Sequence, residues 1–180
     1  MPTWRTGTSD RRTRGSRGFS LIEILVVLVI VGVVTGAVVL SIRGSGERAV
    51  ENSAQRARAL VALACERAVL SGRDIGFTPV REGLRFGYFE RDGWHPLGDA
   101  GSDELRARAL GQQLQLVVTR EGVELPLEEE PGREPAFACL SSGELTPFVL
   151  RLTRDDAVQA WELEGRLDGE LLLRQVPRDP

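Results

Sequence analysis

The chain has 180 residues, of which 42% are hydrophobic and 27% charged, and its isoelectric point lies near 5.4. This composition is typical of one globular domain plus an anchor and excludes a disordered chain. The formal charge of −3 is uneven, because residues 1–18 carry +4 and residues 19–180 therefore sum to −7. An acidic body argues against nucleic acid as a partner, since phosphate binding needs a basic face.

Residues 1–18 form a cationic segment without apolar periodicity. It contains a single acid, Asp10, against five arginines: Arg5, Arg11, Arg12, Arg14 and Arg17. Basic residues that flank an apolar segment stay on the cytoplasmic side of a membrane. The segment therefore predicts a leader that remains in the cytoplasm.

The next stretch, residues 19–42, is apolar and carries one charge, Glu23. A helix of this length spans ~36 Å, which exceeds the ~30 Å of a bilayer's hydrocarbon core. A cleaved secretory signal has a shorter apolar core that is followed by a small-residue site, and neither feature is present here. We therefore predict a transmembrane helix over 19–42. A carboxylate in such a run is unfavourable, so Glu23 needs a partner or a position near the headgroups.

The junction between the cationic segment and the apolar stretch has the sequence Arg17-Gly18-Phe19-Ser20-Leu21-Ile22-Glu23. Followed by an apolar helix, it resembles the class III leader of type IV pilins and type II secretion pseudopilins. The resemblance implies that a prepilin peptidase cuts between Gly18 and Phe19 and N-methylates Phe19. It also implies that Glu23 guides assembly by pairing with the terminal amine of a neighbouring subunit. A plain signal anchor is the alternative to this interpretation.

Residues 43–72 are predicted to continue the stem as an amphipathic helix. Arg43-Gly44-Ser45-Gly46 is expected to be a kink or a locally melted turn. Beyond it, small and apolar residues recur every three or four positions, which indicates one buried face. These residues are Val50, Ala54, Ala57, Val61, Ala64, Cys65 and Ala68. Ser71-Gly72 is a helix-ending signal.

Residues 73–180 change to a period of two and predict a β-rich domain outside the membrane. Seven short strands are expected, around Ile75–Phe77, Leu84–Phe89, Gln113–Val118, Ala136–Leu140, Pro147–Leu152, Ala160–Leu163 and Leu171–Leu173. Asp92-Gly93 and Asp168-Gly169 are hairpin-turn dipeptides, and Glu128–Glu130 is expected in a solvated loop. The predicted fold class is α+β, with a long N-terminal helix packed on antiparallel sheet.

Two cysteines, Cys65 and Cys139, and one histidine, His95, are too few for a zinc site, and no metal or cofactor is predicted. In an exported domain the cysteines can form a disulfide. Both also lie in apolar surroundings that suit buried free thiols, so the sequence leaves the two states open.

No catalytic motif is found, and the chain is predicted not to be an enzyme. Asp155-Asp156 is interpreted as a turn at a strand end. His95, in Trp94-His95-Pro96, is interpreted as a solvated loop residue, since no nucleophile is spaced to form a triad with it.

Two further segments of the sequence narrow the family resemblance. Ser142-Gly143-Glu144-Leu145-Thr146-Pro147 after an apolar strand, and the helix end Ala68–Arg73, resemble GspH/FimT-type minor pseudopilins of the type IV pilin-like superfamily. In the resembling family, many major pilins have a helix-kinking proline in the stem, and major pseudopilins have a C-terminal calcium-binding loop. This sequence shows neither pattern, which favours a minor over a major subunit.

The resemblance implies a type II secretion subunit that starts or caps a periplasmic pseudopilus. Its expected partners are other major and minor pseudopilins, the prepilin peptidase, the inner-membrane assembly platform and membrane lipid. The expected location is the bacterial inner membrane, with a single pass, a cytoplasmic N-terminus and a periplasmic domain. Two alternatives are a minor pilin of a type IV pilus or DNA-uptake system, and a membrane-anchored periplasmic enzyme or sensor.

Overall fold

A computed structural model describes residues 20–97, 104–106, 108–127, 129 and 132–178, without the side chains of 38–45 and 108. The chain forms two compact units, residues 1–40 and 41–180, which are described separately. One helix, α1 (Leu21–Ser71), has residues in both units. No helix in the described part of the chain has the combination of length and apolarity needed to cross a membrane.

The second half of α1 carries the buried stripe that the sequence predicts. The side chains on this stripe are completely buried: Val50, Ala54, Ala57, Val61, Ala64 and Ala68. Their spacing of three and four residues places them on one face of the helix. Four of the six are alanines, and all six belong to the hydrophobic core.

The helix ends at the predicted signal. Gly72 has a φ of 64°, and the Arg73 amide donates a hydrogen bond to the Ala68 carbonyl at 3.2 Å. This is the Schellman pattern, in which a residue in the left-handed region, most often glycine, closes the last turn.

In the described part of the chain, ten strands follow the helix. They are β1 (Ile75–Val80), β2 (Gly83–Glu90), β3 (Gly93–Pro96), β4 (Arg108–Ala109), β5 (Gln115–Arg120), β6 (Val123–Leu125), β7 (Phe137–Cys139), β8 (Phe148–Thr153), β9 (Gln159–Gly165) and β10 (Leu171–Pro177). All seven predicted strands are present. Asp168-Gly169 lies between β9 and β10, whereas Asp92 lies in the turn after β2 and Gly93 is the first residue of β3. The sequence missed β3, β4 and β6, each of two to four residues.

The strands form two antiparallel sheets of five strands each. Sheet A has the order β3-β2-β1-β7, with β4 also paired to β2, and sheet B has the order β10-β9-β8-β5-β6. A helix with antiparallel sheets confirms the predicted α+β class.

Phenylalanines join the two sheets at the centre of the core. Phe77 of β1 lies 5.5 Å from Phe148 of β8, measured between ring centroids, and Phe137 of β7 lies 5.2 Å from the same ring. All three side chains are at least 97% buried. Aromatic rings at these separations pack favourably edge to face or offset. The buried stripe of α1 belongs to the same core.

The locally melted turn predicted at Arg43-Gly44-Ser45-Gly46 is wrong, since α1 is helical throughout this segment. The alternative expectation, a kink, stays a prediction. One glycine of this segment lies close to a distant part of the chain. Gly46 is buried, and a Cβ atom placed on it would lie 2.7 Å from Cγ of Asp156 in the β8–β9 loop. A side chain at position 46 would therefore require the Asp156 carboxylate to move.

Candidate functional site

The first described residues of the stem place Glu23 in the first turn of α1. The Ser20 carbonyl accepts hydrogen bonds from the amides of Glu23 (3.0 Å) and Ile24 (3.2 Å), so Ser20 is the residue that caps the helix. A carboxylate at this position interacts favourably with the positive end of the helix dipole. Ser20-x-x-Glu23 is also the spacing of a capping box, in which glutamate or glutamine serves equally.

Among residues 20–37, whose side chains are described, Glu23 is the only charged residue on an apolar surface. The large side chains of residues 21–34 are exposed to between 48% and 83%. A helix that is apolar on all sides is normally covered by lipid or by other helices. Two further residues of the predicted site, Gly18 and Phe19, lie outside the described part of the chain.

Cys65 and Cys139 lie together and are joined. Cys65 is on the half-buried side of α1 and Cys139 is completely buried in β7, and their Cα atoms are 4.8 Å apart. The residues are 74 positions apart in sequence, so the bond links the stem helix to sheet A.

The outer face of sheet B carries a charged cluster centred on Glu162. Its carboxylate accepts hydrogen bonds from Arg151 at 2.8 and 3.0 Å and from Arg174 at 3.0 Å, and these residues are cross-strand neighbours. Burial by itself would raise the pKa of Glu162, but the bonds from the two arginines outweigh it and hold the pKa below its usual value. The cluster fastens β8, β9 and β10 together.

Asp155 and Asp156, the adjacent carboxylates considered in the sequence, each lie beside an arginine. Asp156 pairs with Arg154 at 2.8 Å, and this bond lowers the pKa of the Asp156 carboxyl. Asp155 lies 3.3 Å from Arg178. Both aspartates lie in the turn between β8 and β9, where the sequence predicted a turn.

The prediction that His95 is a loop residue is wrong, because it lies in β3, where Trp94 is buried against the sheet. His95 Nε2 lies 2.9 Å from Asp92 Oδ1, and this hydrogen bond lowers the pKa of Asp92. Glu90 joins them, with one ligand atom of each residue within 4.8 Å of the others. All three side chains are exposed and no nucleophile accompanies them in this cluster. An exposed cluster of this kind is not by itself a metal site.

Comparisons with known proteins concern both the N-terminal motif and the greater part of the chain. Residues 13–39 match the prokaryotic N-terminal methylation motif, and this range contains Gly18, Phe19 and Glu23. Type II secretion system protein H of Pseudomonas aeruginosa is 34% identical over 148 residues, which are 77% of this chain and 84% of that protein. The chain belongs to the type II secretion system protein H family. It is therefore a minor pseudopilin, as the sequence predicted.

Two further comparisons agree. The protein H of Aeromonas hydrophila is 33% identical over 160 residues, which are 81% of this chain and 85% of that protein. The crystal structure of the minor pseudopilin EpsH from the type II secretion system of Vibrio cholerae superposes with a TM-score of 0.57 and 29% identity. That match covers 74% of this chain and 97% of EpsH. The helix and antiparallel sheets are thus the type IV pilin-like fold.

Proposed function

We propose that the stem of this pseudopilin is made competent for assembly by cleavage between Gly18 and Phe19 and by N-methylation of Phe19. The observation that carries the proposal is Glu23, the one carboxylate on an otherwise apolar and exposed helix surface. Cleavage leaves an α-amine with an ordinary pKa of ~7.7–8.0, which is mostly cationic at neutral pH. Glu23 of one subunit then pairs with the amine of a neighbour inside the filament.

The same proposal places residues 19–42 in the inner membrane and residues 43–180 in the periplasm. The cationic residues before Phe19 support a cytoplasmic N-terminus. Apolar burial does not drive the stem from lipid into a filament, because lipid is as apolar as the neighbouring stems. Helix packing, the Glu23 pair and work done by the secretion machinery supply the driving force.

We assign the subunit a structural role at the start or tip of the pseudopilus, without catalytic activity of its own. Its proposed partners are the other major and minor pseudopilins, the prepilin peptidase and the inner-membrane assembly platform. The family relationship supports this role, because the relatives described above are secretion-system subunits and a solved homologue is a minor pseudopilin.

Glu23→Gln tests the pairing separately from the local helix. Glutamine keeps the capping-box geometry but carries no charge, so helix formation and membrane insertion should remain. We expect loss of the subunit from sheared pseudopili, with unchanged amounts in the membrane, measured by immunoblot. Glu23→Asp is the matched control, because it retains the charge and should assemble in part. Normal incorporation of Glu23→Gln would contradict the pairing.

A further inference from the structure

An open groove runs along the second unit between α1 and β10. Its volume is about 910 Å³. The helix side presents the exposed small and apolar residues Ala59, Ala62 and Val69, and the strand side is formed by residues 169–173. Leu171 and Leu173 reach from this strand onto the core and remain only partly buried.

Strand β10 is the last strand of sheet B and, among the described residues, pairs with β9 alone. The hairpin closes with the Arg166 amide donating to the Glu170 carbonyl at 3.0 Å. Hydrogen-bonded and non-bonded pairs alternate along an antiparallel ladder. The register then turns the amides and carbonyls of Leu171, Leu173 and Gln175 away from β9, towards the free edge.

This edge lacks the protection that edge strands normally have. Exposed edges usually carry a charge, a bulge or an early proline that prevents pairing with another chain. Here β10 begins with three leucines in succession, and its proline is the last residue, Pro177. The one charge, Arg174, is held by Glu162 and Glu164 of the neighbouring strand.

The charged side chains that line the groove favour a basic ligand. It contains three carboxylates, Glu66, Asp168 and Glu170, and one guanidinium, Arg58. Glu170 is already paired with Arg166 at 2.7 Å, and Asp168 accepts a hydrogen bond from the Glu170 amide at 3.1 Å without a basic partner in the described ion pairs. Glu66 and the charge of Asp168 therefore face an incoming group. A second copy of this chain is disfavoured, because residues 19–180 carry a net charge of −7.

We propose that the groove receives an extended segment of a different pseudopilin, which adds to sheet B as a strand beside β10. Main-chain hydrogen bonds to Leu171, Leu173 and Gln175 provide affinity, and side-chain contacts provide specificity. Alternate apolar side chains of the segment pack against Ala59, Ala62 and Val69. A basic side chain lies near Glu66 and Asp168. The contact is separate from the stem, and it does not depend on Glu23.

The test uses the full chain in detergent micelles and each of the other pseudopilins of the same secretion system as the probe. Ala62→Trp fills the groove from the helix side, and Arg56→Trp places the same bulk on an exposed helix position outside it. Gln175→Pro removes one amide at the free edge without removing a bond to β9, and Gln175→Ala retains that amide. Circular dichroism and protease resistance establish that each variant is folded.

We expect Ala62→Trp and Gln175→Pro to weaken binding of one pseudopilin by about tenfold or more, while Arg56→Trp and Gln175→Ala change it by less than about twofold. A photo-crosslinker at position 62 should join the chain to that same pseudopilin, and position 56 should not. Unchanged binding by folded Ala62→Trp would overturn the proposal. So would binding to none of the pseudopilins, or crosslinking at position 62 only to a second copy or to a secreted protein.

Discussion

Cys65 of the stem helix and Cys139 of β7 are joined across the interface between α1 and sheet A, with their Cα atoms 4.8 Å apart. The bond joins positions that are 74 apart in sequence and so closes a long loop that contains β1–β6. Cross-linking a long loop restricts the unfolded chain and raises the free energy of unfolding. It thereby holds the second half of α1 on sheet A.

Replacing both cysteines by alanine should lower the free energy of unfolding by about 2–5 kcal/mol, measured by urea titration of the full chain in micelles. The matched control is the unaltered chain after reduction, which should lose a similar amount. In cell extracts, the thiols of the unaltered chain should react with a maleimide only after reduction. Free thiols in the exported protein would contradict the bond.

The second prediction concerns Gly46 and Asp156. Glycine to alanine in a helix interior normally stabilises by about 1 kcal/mol. Here the added Cβ would lie 2.7–2.8 Å from the Asp156 carboxylate, so Gly46→Ala should give no gain or should destabilise. In an Asp156→Ala background the contact is relieved and the gain of about 1 kcal/mol should appear. Equal effects of Gly46→Ala in both backgrounds would show that Asp156 does not restrict position 46.

The third prediction concerns acid stability. The pKa of Glu162 is held below its usual value in the folded protein, so its ion pairs stabilise the fold above the ordinary carboxyl pKa and are lost as pH falls through the folded value. Glu162→Gln should lower the free energy of unfolding by about 1–3 kcal/mol at pH 7.

Below the folded pKa the difference between Glu162→Gln and the unaltered chain should shrink, because the carboxyl is then protonated in both the folded and the unfolded state. Thermal unfolding at a series of pH values measures this. The comparison variant is Glu144→Gln, since Glu144 is on an exposed loop without an arginine partner in the described ion pairs. A pH-independent difference at position 162 would contradict the assigned role of the charge.

Much of the fold follows from local patterns. The alanine-rich stripe of α1 and the alternation in β1, β2 and β8 are strong periodic signals, and the structure has these elements where they were predicted. The short strands β3, β4 and β6 have too few residues to show a period. They are stabilised by pairing with neighbouring strands, which a single segment of sequence does not reveal.

The features that escaped prediction depend on contacts between distant residues. Gly46 lies close to Asp156, which is more than a hundred positions away in sequence. The sequence left the state of Cys65 and Cys139 open because their separation is set by the docking of α1 on sheet A. The groove beside β10 likewise arises from the position of α1 and the order of sheet B. The proposed assembly residues Gly18, Phe19 and Glu23 could be named from the sequence because their signal lies in one continuous motif, and their role stays a prediction.

The most direct test of the account is the intact mass of the protein purified from the membranes of its own host. We predict a chain of 162 residues that begins at Phe19 and carries one added methyl group, and the full 180 residues in cells without the prepilin peptidase. A polypeptide that begins at Met1 where the peptidase is active would contradict processing, and with it the pairing of Glu23 with a neighbour's amine.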